Sequence, residues 1–399
     1  MMDTLQEMVQ KNRVWACLDC GKCGAVCPIT RWETRRYASP RTLIEKAILG
    51  QYADLMDEPL FWSCLICKRC TELCPSEVHF VDFMRQARSL ARTYDRFGDC
   101  THSEMIQTWG RMMTNPGLRQ NRLSWLTGDL KTSTDADTVY FTGCLPYYDP
   151  LFKKINVEGV KIARAAVKIM NHLGIKPQVL EDEVCCGHDQ LWEGDVETFQ
   201  QLARLNLERL KASGAKRVVT TCPECTRTLK IDYPELVGPH GLEILHISEL
   251  MAQAGLGALT SNPEPGLKVT YQDPCHLGRH LGIYEAPRQV MADLGMELRE
   301  MKHGRSASIC CGTSCWRACG QVSKSIQVDR LKEARATGAE LLVTTCVKCQ
   351  IHFKCAQEDP ILGEKIAIEI RDLTTLVADR LPDIPIEPIQ KQEAQNPHG

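Results

Sequence analysis

The 399-residue chain has a formal net charge of −2 and 25% charged residues, a balance that gives no electrostatic footprint for nucleic acid or an acidic membrane surface. Its 22 cysteines, in a chain this long, exclude a small secreted disulfide scaffold and point to metal or redox work in a reducing compartment. No apolar run approaches the roughly 20 residues needed to span a bilayer. The stretch before Cys17 lacks a basic n-region and an apolar h-region, so no signal peptide is expected. A cytoplasmic location follows, with peripheral attachment to a membrane partner left open. Two or three domains are expected at this length.

In chain order, a short polar helix leads into Cys17-Leu-Asp-Cys20-Gly-Lys-Cys23-Gly-Ala-Val-Cys27-Pro28. The same spacing returns as Cys64-Leu-Ile-Cys67-Lys-Arg-Cys70-Thr-Glu-Leu-Cys74-Pro75. Both are C-x2-C-x2-C-x3-C-P, the bacterial ferredoxin run, in which three close cysteines meet on one iron–sulfur cube and the fourth ligates the other cube. This pairs Cys74 with Cys17, Cys20 and Cys23 in one cluster, and Cys27 with Cys64, Cys67 and Cys70 in a second. The competing reading is a pair of zinc sites; four cysteines and a proline, twice over, argue against it.

Between the runs, Ser39-Pro40 starts a helix that Gly50 ends, with Leu43, Ile44, Ala47 and Ile48 on one face. A second helix is predicted over Val81–Tyr94. Residues 1–98 thus form a mainly helical ferredoxin-like domain for two clusters. Residues 99–135 read as a linker crossing a surface, with a short helix near Ser103–Met113.

The rest is a tandem repeat, here expected to span 136–262 and 263–382, followed by a tail at 383–399. The first copy holds Cys144, Cys185-Cys186-Gly187 and Cys222-Pro-Glu-Cys225; the second holds Cys275, Cys310-Cys311-Gly312 and Cys346-Val-Lys-Cys349. Strands are predicted at Thr138–Thr142 and Lys268–Gln272, and a helix whose stripe is Ala163, Ala166, Val167 and Met170 closes at Gly174. Gly214 and Gly338 are predicted helix C-caps. Alternation of strand and helix gives an α/β layer with a parallel sheet, and ligands in such sheets sit past the carboxyl ends of the strands. The fold class is therefore α/β: a helical di-cluster domain followed by two repeated α/β domains. The glycine after each cysteine pair suits a positive φ or a close approach to a bulky group.

Cys-x(n)-Cys-Cys-Gly-x(n)-Cys-x2-Cys, twice, resembles the CCG domains of the heterodisulfide reductase family. With the ferredoxin pair in front, the chain is similar to the D-type subunit of that family, in which the C-type and B-type subunits are fused. Trp62-Ser63-Cys64-Leu65 and Asp273-Pro274-Cys275-His276-Leu277-Gly278 share the likeness. The resemblance implies a noncubane [4Fe-4S] cluster on Cys144, Cys185, Cys186, Cys222 and Cys225, and another on Cys275, Cys310, Cys311, Cys346 and Cys349. It implies an iron–sulfur subunit that takes electrons from a flavoprotein similar to the A-type subunit of heterodisulfide reductase. They would pass through two cubane clusters to the noncubane pair, for disulfide reduction or relay to a larger reductase complex or a membrane cytochrome. Because no G-x-G-x-x-G follows a strand, the flavin is expected on a partner.

Two alternatives remain at this level: the iron–sulfur subunit of a flavin-dependent 2-hydroxyacid or glycerol-3-phosphate dehydrogenase, and a zinc-stabilised module with no redox role. Of the four cysteines outside the motifs, Cys315 and Cys319 are candidates for a place near the second noncubane site, while Cys100 and Cys355 read as small hydrophobes. His188 and His276 read as satisfied histidines with an option on a cluster sulfur. Lys22, Lys68, Arg69 and Lys348, inside the cysteine loops, would raise cluster potentials or face a partner; as single charges on loops they read more simply as solvated.

Overall fold

The computed structural model of the chain describes residues 4–33, 38–256 and 266–382. The expected tail at 383–399 lies outside them. Among the described residues from Leu5 to Arg92 every regular element is helical. The helix Leu5–Lys11 opens with a capping box between Thr4 and Glu7. The helix Pro40–Ile48 begins as its sequence demands: the Ser39 side chain accepts from the Thr42 N–H, and Pro40 fills the first turn. Leu43, Ile44 and Ala47 are buried, but Ile48 is 42% exposed, because five residues on from Leu43 carries it well round the helix.

The helix Phe80–Arg92 buries Phe80, Phe83, Met84, Ala87 and Ala91. It also buries Arg88, whose guanidinium donates to the carbonyls of Phe61, Trp62, Cys64 and Trp192 at 2.9–3.1 Å. One side chain thus ties the second cysteine run to the repeat that follows.

The segment 99–135 is packed rather than surface-crossing. Ile106, Met113, Trp125 and Leu130 are buried, and Arg122 is 2% exposed. Its helix, Met105–Met112, falls where expected. Its apolar residues are too sparse to show a period, so burial there depends on partners distant in sequence.

The repeat forms two parallel sheets. Strands β1 (Thr138–Phe141), β2 (Arg217–Thr220) and β3 (Glu243–His246) lie side by side in that order. In the second copy, β4 (Lys268–Tyr271), β5 (Glu297–Leu298), β6 (Leu341–Thr344) and β7 (Glu369–Asp372) are arranged β5-β4-β6-β7. Gln178 exchanges backbone bonds with β1, through the Tyr140 N–H and the Thr138 carbonyl. It takes the place that β5 takes beside β4, so the two sheets share one plan. Equivalent buried pairs join neighbouring strand ends: Tyr140 Oη with Thr221 Oγ1 at 3.2 Å, and Tyr271 Oη with Thr345 Oγ1 at 2.8 Å.

The two copies share a single core. Tyr140, Ile162, Ala166 and Met170 from the first pack in one cluster with Tyr271, Val290, Leu341 and Leu373 from the second. Glu158 of the first copy accepts from Arg371, Thr375 and the backbone N–H of Asp372 in the second. The helical domain in turn shares a core with the second copy: Phe61, Phe83 and Met84 cluster with Ile326, Leu342 and Phe353.

Candidate metal centres

The two ferredoxin runs interleave. Cys17, Cys20 and Cys23 line a cavity together with Cys74 from the second run; Cys70 also reaches it. Burial pushes the Cys64 thiol up to about 12, with Cys27 and Cys67 adding to the rise. Cys70 is raised for the same reason, with Cys64, Cys67 and Cys27 contributing. Cys27 therefore stands among the three close cysteines of the other run.

In the repeat, the lone cysteine and the Cys-x2-Cys of each copy lie just past the carboxyl end of a strand: Cys144 after β1, Cys222 after β2, Cys275 after β4 and Cys346 after β6. In the first copy Cys144 Sγ is 3.9 Å from Cys185 Sγ, and Cys186 Sγ is 3.4 Å from Cys225 Sγ. A hydrogen bond from Cys225 pulls Cys222 down to about 7. In the second copy Cys275, Cys311, Cys346 and Cys349 line one small cavity, and Cys310 is buried in one cluster with them. Hydrogen bonds from Cys310 and then Cys349 pull Cys311 down to about 6. Each copy thus gathers five thiols. Sulfur alone suits iron–sulfur chemistry, and five donors exceed the four that a structural zinc accepts.

The glycine after each pair is required. Gly187 has φ +83, and a Cβ there would lie 2.9 Å from the Phe199 ring; Gly312 has φ +90, and a Cβ would lie 2.8 Å from the Ser323 carbonyl oxygen. Gly187→Ala is expected to cost about 2–5 kcal/mol in denaturant unfolding through backbone strain plus overpacking. Gly174→Ala, where φ is +77 but nothing lies within 4 Å, should cost about 1–2 kcal/mol, the strain alone. Equal losses at the two sites would show that the contact with Phe199 is immaterial.

A buried ion pair holds each lone-cysteine loop. Arg122 donates to Glu183 at 2.6 Å and to the Gly143 carbonyl at 2.8 Å, while Glu183 accepts from the N–H groups of Thr142 and Gly143. In the second copy Asp273 accepts both Nη atoms of Arg288, at 2.8 and 3.0 Å, beside Pro274-Cys275. Asn206 fixes the cysteine pair of the first copy by donating to the carbonyls of Val184 and Cys185. Asp273 stands in the quoted Asp273-Pro274-Cys275 segment, but Arg122, Glu183 and Asn206 have no signal in the sequence, because each lies far along the chain from the cysteine it holds.

The centres also approach one another. Cys67 contributes to the raised pKa of Cys310, and Cys222 to that of Cys346, each after hydrogen bonding and burial. The second run is docked on the second copy by Arg279, which donates to the Cys67 carbonyl at 2.5 Å, and by a 2.9 Å contact between His280 Nε2 and the Ile66 carbonyl.

Between the two copies sits Lys348. It is 6% exposed and pairs with Asp189 at 2.6 Å and with Glu224. Burial alone would lower its pKa, yet Asp189 and Glu224 hold it well above the usual range. The expectation of a solvated loop charge is therefore corrected: both carboxylates come from the other copy.

His276 Nδ1 lies 3.4 Å from Cys275 Sγ, whereas His188 bonds Thr228 Oγ1 at 3.0 Å. His352, which sequence reasoning missed, has Nδ1 3.2 Å from Cys311 Sγ; its only clue was a place three residues after Cys349 on the helix Val347–Gln357. Cys315 is buried in one cluster with Ile66, Val81 and the first copy's Cys186 and Cys225 rather than with the second copy's thiols, while Cys319 and Cys355 line a separate cavity. Cys355 accepts from Lys324 at 3.1 Å and so differs from the inert hydrophobe expected. Cys100 lies beside the Gly98 carbonyl.

Comparison with known proteins agrees with this layout. Residues 138–230 and 269–354 match the CCG family, described as a cysteine-rich domain, and residues 11–78 match a 4Fe-4S dicluster domain. The chain is 33% identical over 278 residues to the D-type subunit of the dihydromethanophenazine:CoB–CoM heterodisulfide reductase of Methanosarcina mazei, a match covering 67% of this chain and 65% of that protein. It is 30% identical to the EtfAB:quinone oxidoreductase of Syntrophomonas wolfei, over 52% of this chain and 30% of that protein. It is 29% identical to the B-type subunit of the fumarate reductase (CoM/CoB) of Methanothermobacter marburgensis, over 59% of this chain and 45% of that protein. The chain thus spans less than two thirds of the length of each of these curated relatives. With a dicluster domain leading into two cysteine-rich α/β domains, it belongs to the family of iron–sulfur proteins that resemble the D-type subunit of heterodisulfide reductase.

Proposed function

We propose that the chain is the iron–sulfur electron-transfer subunit of a multi-subunit oxidoreductase of the heterodisulfide reductase type. In this reading Cys17, Cys20, Cys23 and Cys74 hold one cubane [4Fe-4S] cluster, and Cys64, Cys67, Cys70 and Cys27 hold the other. Cys144, Cys185, Cys186, Cys222 and Cys225 hold one noncubane cluster; Cys275, Cys310, Cys311, Cys346 and Cys349 hold the second. The observation that carries the reading is spatial order: the second run is bonded to the second copy through Arg279 and His280 on the carbonyls of Cys67 and Ile66, and that copy is paired to the first through Lys348 on Asp189 and Glu224.

Iron–sulfur clusters supply one-electron steps, and reducing one disulfide to two thiols takes two electrons and two protons. The protein's part is positioning. Arg122–Glu183 and Arg288–Asp273 fix the lone-cysteine loops, His276 and His352 lie against sulfur, and Lys348 offsets negative charge between the two centres. Entry would be at the first run. Cys20 is exposed there, and nearby Trp15, Leu18 and Leu73 are 56%, 70% and 48% exposed, an apolar surface suited to a flavoprotein partner. Among the described residues no helix is long and apolar enough to cross a membrane; a cytoplasmic or peripheral site of action is part of the proposal.

The test is an iron assay with EPR of anaerobically purified protein, oxidised stepwise with and without added thiols. About 16 irons per chain are expected from four four-iron clusters, with a thiol-dependent signal in the oxidised protein if a disulfide is the acceptor. A full iron count with no thiol response would assign the relay role. About 8 irons would leave only the ferredoxin cubes and sink the five-thiol assignment.

A further inference from the structure

A cavity of about 700 Å³ opens beside the second copy and belongs to none of the centres above. Its volume is that of a small-molecule site. Phe152 and Trp316 form an apolar wall, stacked with centroids 5.3 Å apart. Three cations line it, Lys153, Lys154 and Lys324, and no carboxylate does among the described residues. Lys153 and Lys154 are exposed, whereas Lys324 is half-buried. No ion pair is formed by any of the three among the described residues; Lys324 Nζ instead donates to Cys355 Sγ at 3.1 Å. Asp359, which feels the Lys324 charge, is not part of the lining.

Among the residues that line it, three buried polar atoms lack a partner: His352 Nε2, Gln327 Oε1 and Trp316 Nε1, the last an N–H facing the Asp189 carboxylate. His352 Nδ1 faces Cys311 Sγ at 3.2 Å. If it donates to that sulfur, Nε2 is left as an acceptor. Gln327 Oε1 is an acceptor in any state. Unsatisfied buried acceptors of this kind are rare in folded proteins and call for a donor.

We propose that this cavity is a binding chamber for a small organic anion with an apolar body. Its charged head is held by Lys324, with Lys153 and Lys154 at the mouth, and a hydrogen-bond donor on the ligand meets His352 and Gln327. In the redox reading above, which the chamber's role rests on but its binding does not, His352 connects the ligand to Cys311.

The test is equilibrium dialysis of the iron-loaded full chain with 6-hydroxynaphthalene-2-sulfonate, which carries anion, ring and donor, against uncharged 2-naphthol. The sulfonate is expected to bind about tenfold or more tightly than the naphthol, the scale of one charged hydrogen bond. That preference should disappear in Lys324→Gln and persist in Lys324→Arg at unchanged iron content. The bound sulfonate should also slow alkylation of Cys319 and Cys355 by iodoacetamide, read by peptide mass spectrometry, while leaving Cys100 unaffected. Equal binding of the two probes, an unchanged preference in Lys324→Gln, or unprotected Cys319 and Cys355 would each overturn the proposal. Since none of these readouts involves electron transfer, a chain that binds the sulfonate but holds only about 8 irons would refute the redox reading and leave the chamber standing.

Discussion

Replacing Lys348 with methionine is expected to cost the folded chain about 3–5 kcal/mol, the scale for removing one partner of a buried ion pair. Asp189 and Glu224 are 5% and 8% exposed, and Lys348 is the cation paired with both. Without it, two carboxylates face each other out of reach of water. The measurement is denaturant unfolding of the iron-loaded protein, with iron content followed in parallel. The cycle is completed by Lys348→Met combined with Asp189→Asn and Glu224→Gln, which removes the stranded charges. That triple variant should recover most of the loss, since residues in one ionic network couple strongly. A cost below about 1 kcal/mol would place Lys348 with ordinary surface pairs and contradict its burial. Because the lysine comes from one copy and both acids from the other, the loss should also loosen the contact between copies.

Replacing Cys74 with alanine is expected to remove about four irons per chain, one cluster's worth, and to remove them from the site of the other run. Cys74 follows Cys64, Cys67 and Cys70 in sequence, yet it lines a cavity with Cys17, Cys20 and Cys23. The crossing is tested by pairing substitutions. Cys17→Ala with Cys74→Ala should lose no more iron than Cys74→Ala alone, leaving about 12 of about 16. Cys64→Ala with Cys74→Ala should lose two clusters and leave about 8. The reverse pattern would mean that each run closes on itself.

The repeat in the second half was legible because its spacing is local. The adjacent cysteine pair, the glycine after it and the Cys-x2-Cys each lie on one short segment, so their recurrence exposes two α/β copies without any contact being known. The positive φ at Gly187 and Gly312 was foreseeable for the same reason: a turn carries its own residue requirement. Ser39-Pro40 announced a helix start that the structure keeps.

The partners that hold these segments were not legible. Arg122 lies in a stretch read as a linker, yet its guanidinium fixes the Cys144 loop through Glu183. Arg88 bonds carbonyls from two different parts of the chain. Backbone carbonyls leave no trace in a sequence, so an arginine that meets them looks like any surface arginine. Lys348 was misjudged on the same ground, since only burial distinguishes an ion-paired lysine from a solvated one.

The cysteine motifs, the parallel α/β repeat and the helical N-terminal domain could all be read from the residues alone, because periodicity, turn chemistry and motif spacing act over a few positions. Their order in space could not. The second ferredoxin run docks on both copies: on the first through the Arg88 bridge to Trp192 and the burial of Ile66 among its core residues, and on the second because Arg279 and His280 bind the carbonyls of Cys67 and Ile66. That choice depends on the shape and hydrogen-bonding surface of elements far apart in sequence, with separations of 212 and 214, and chain order does not encode it.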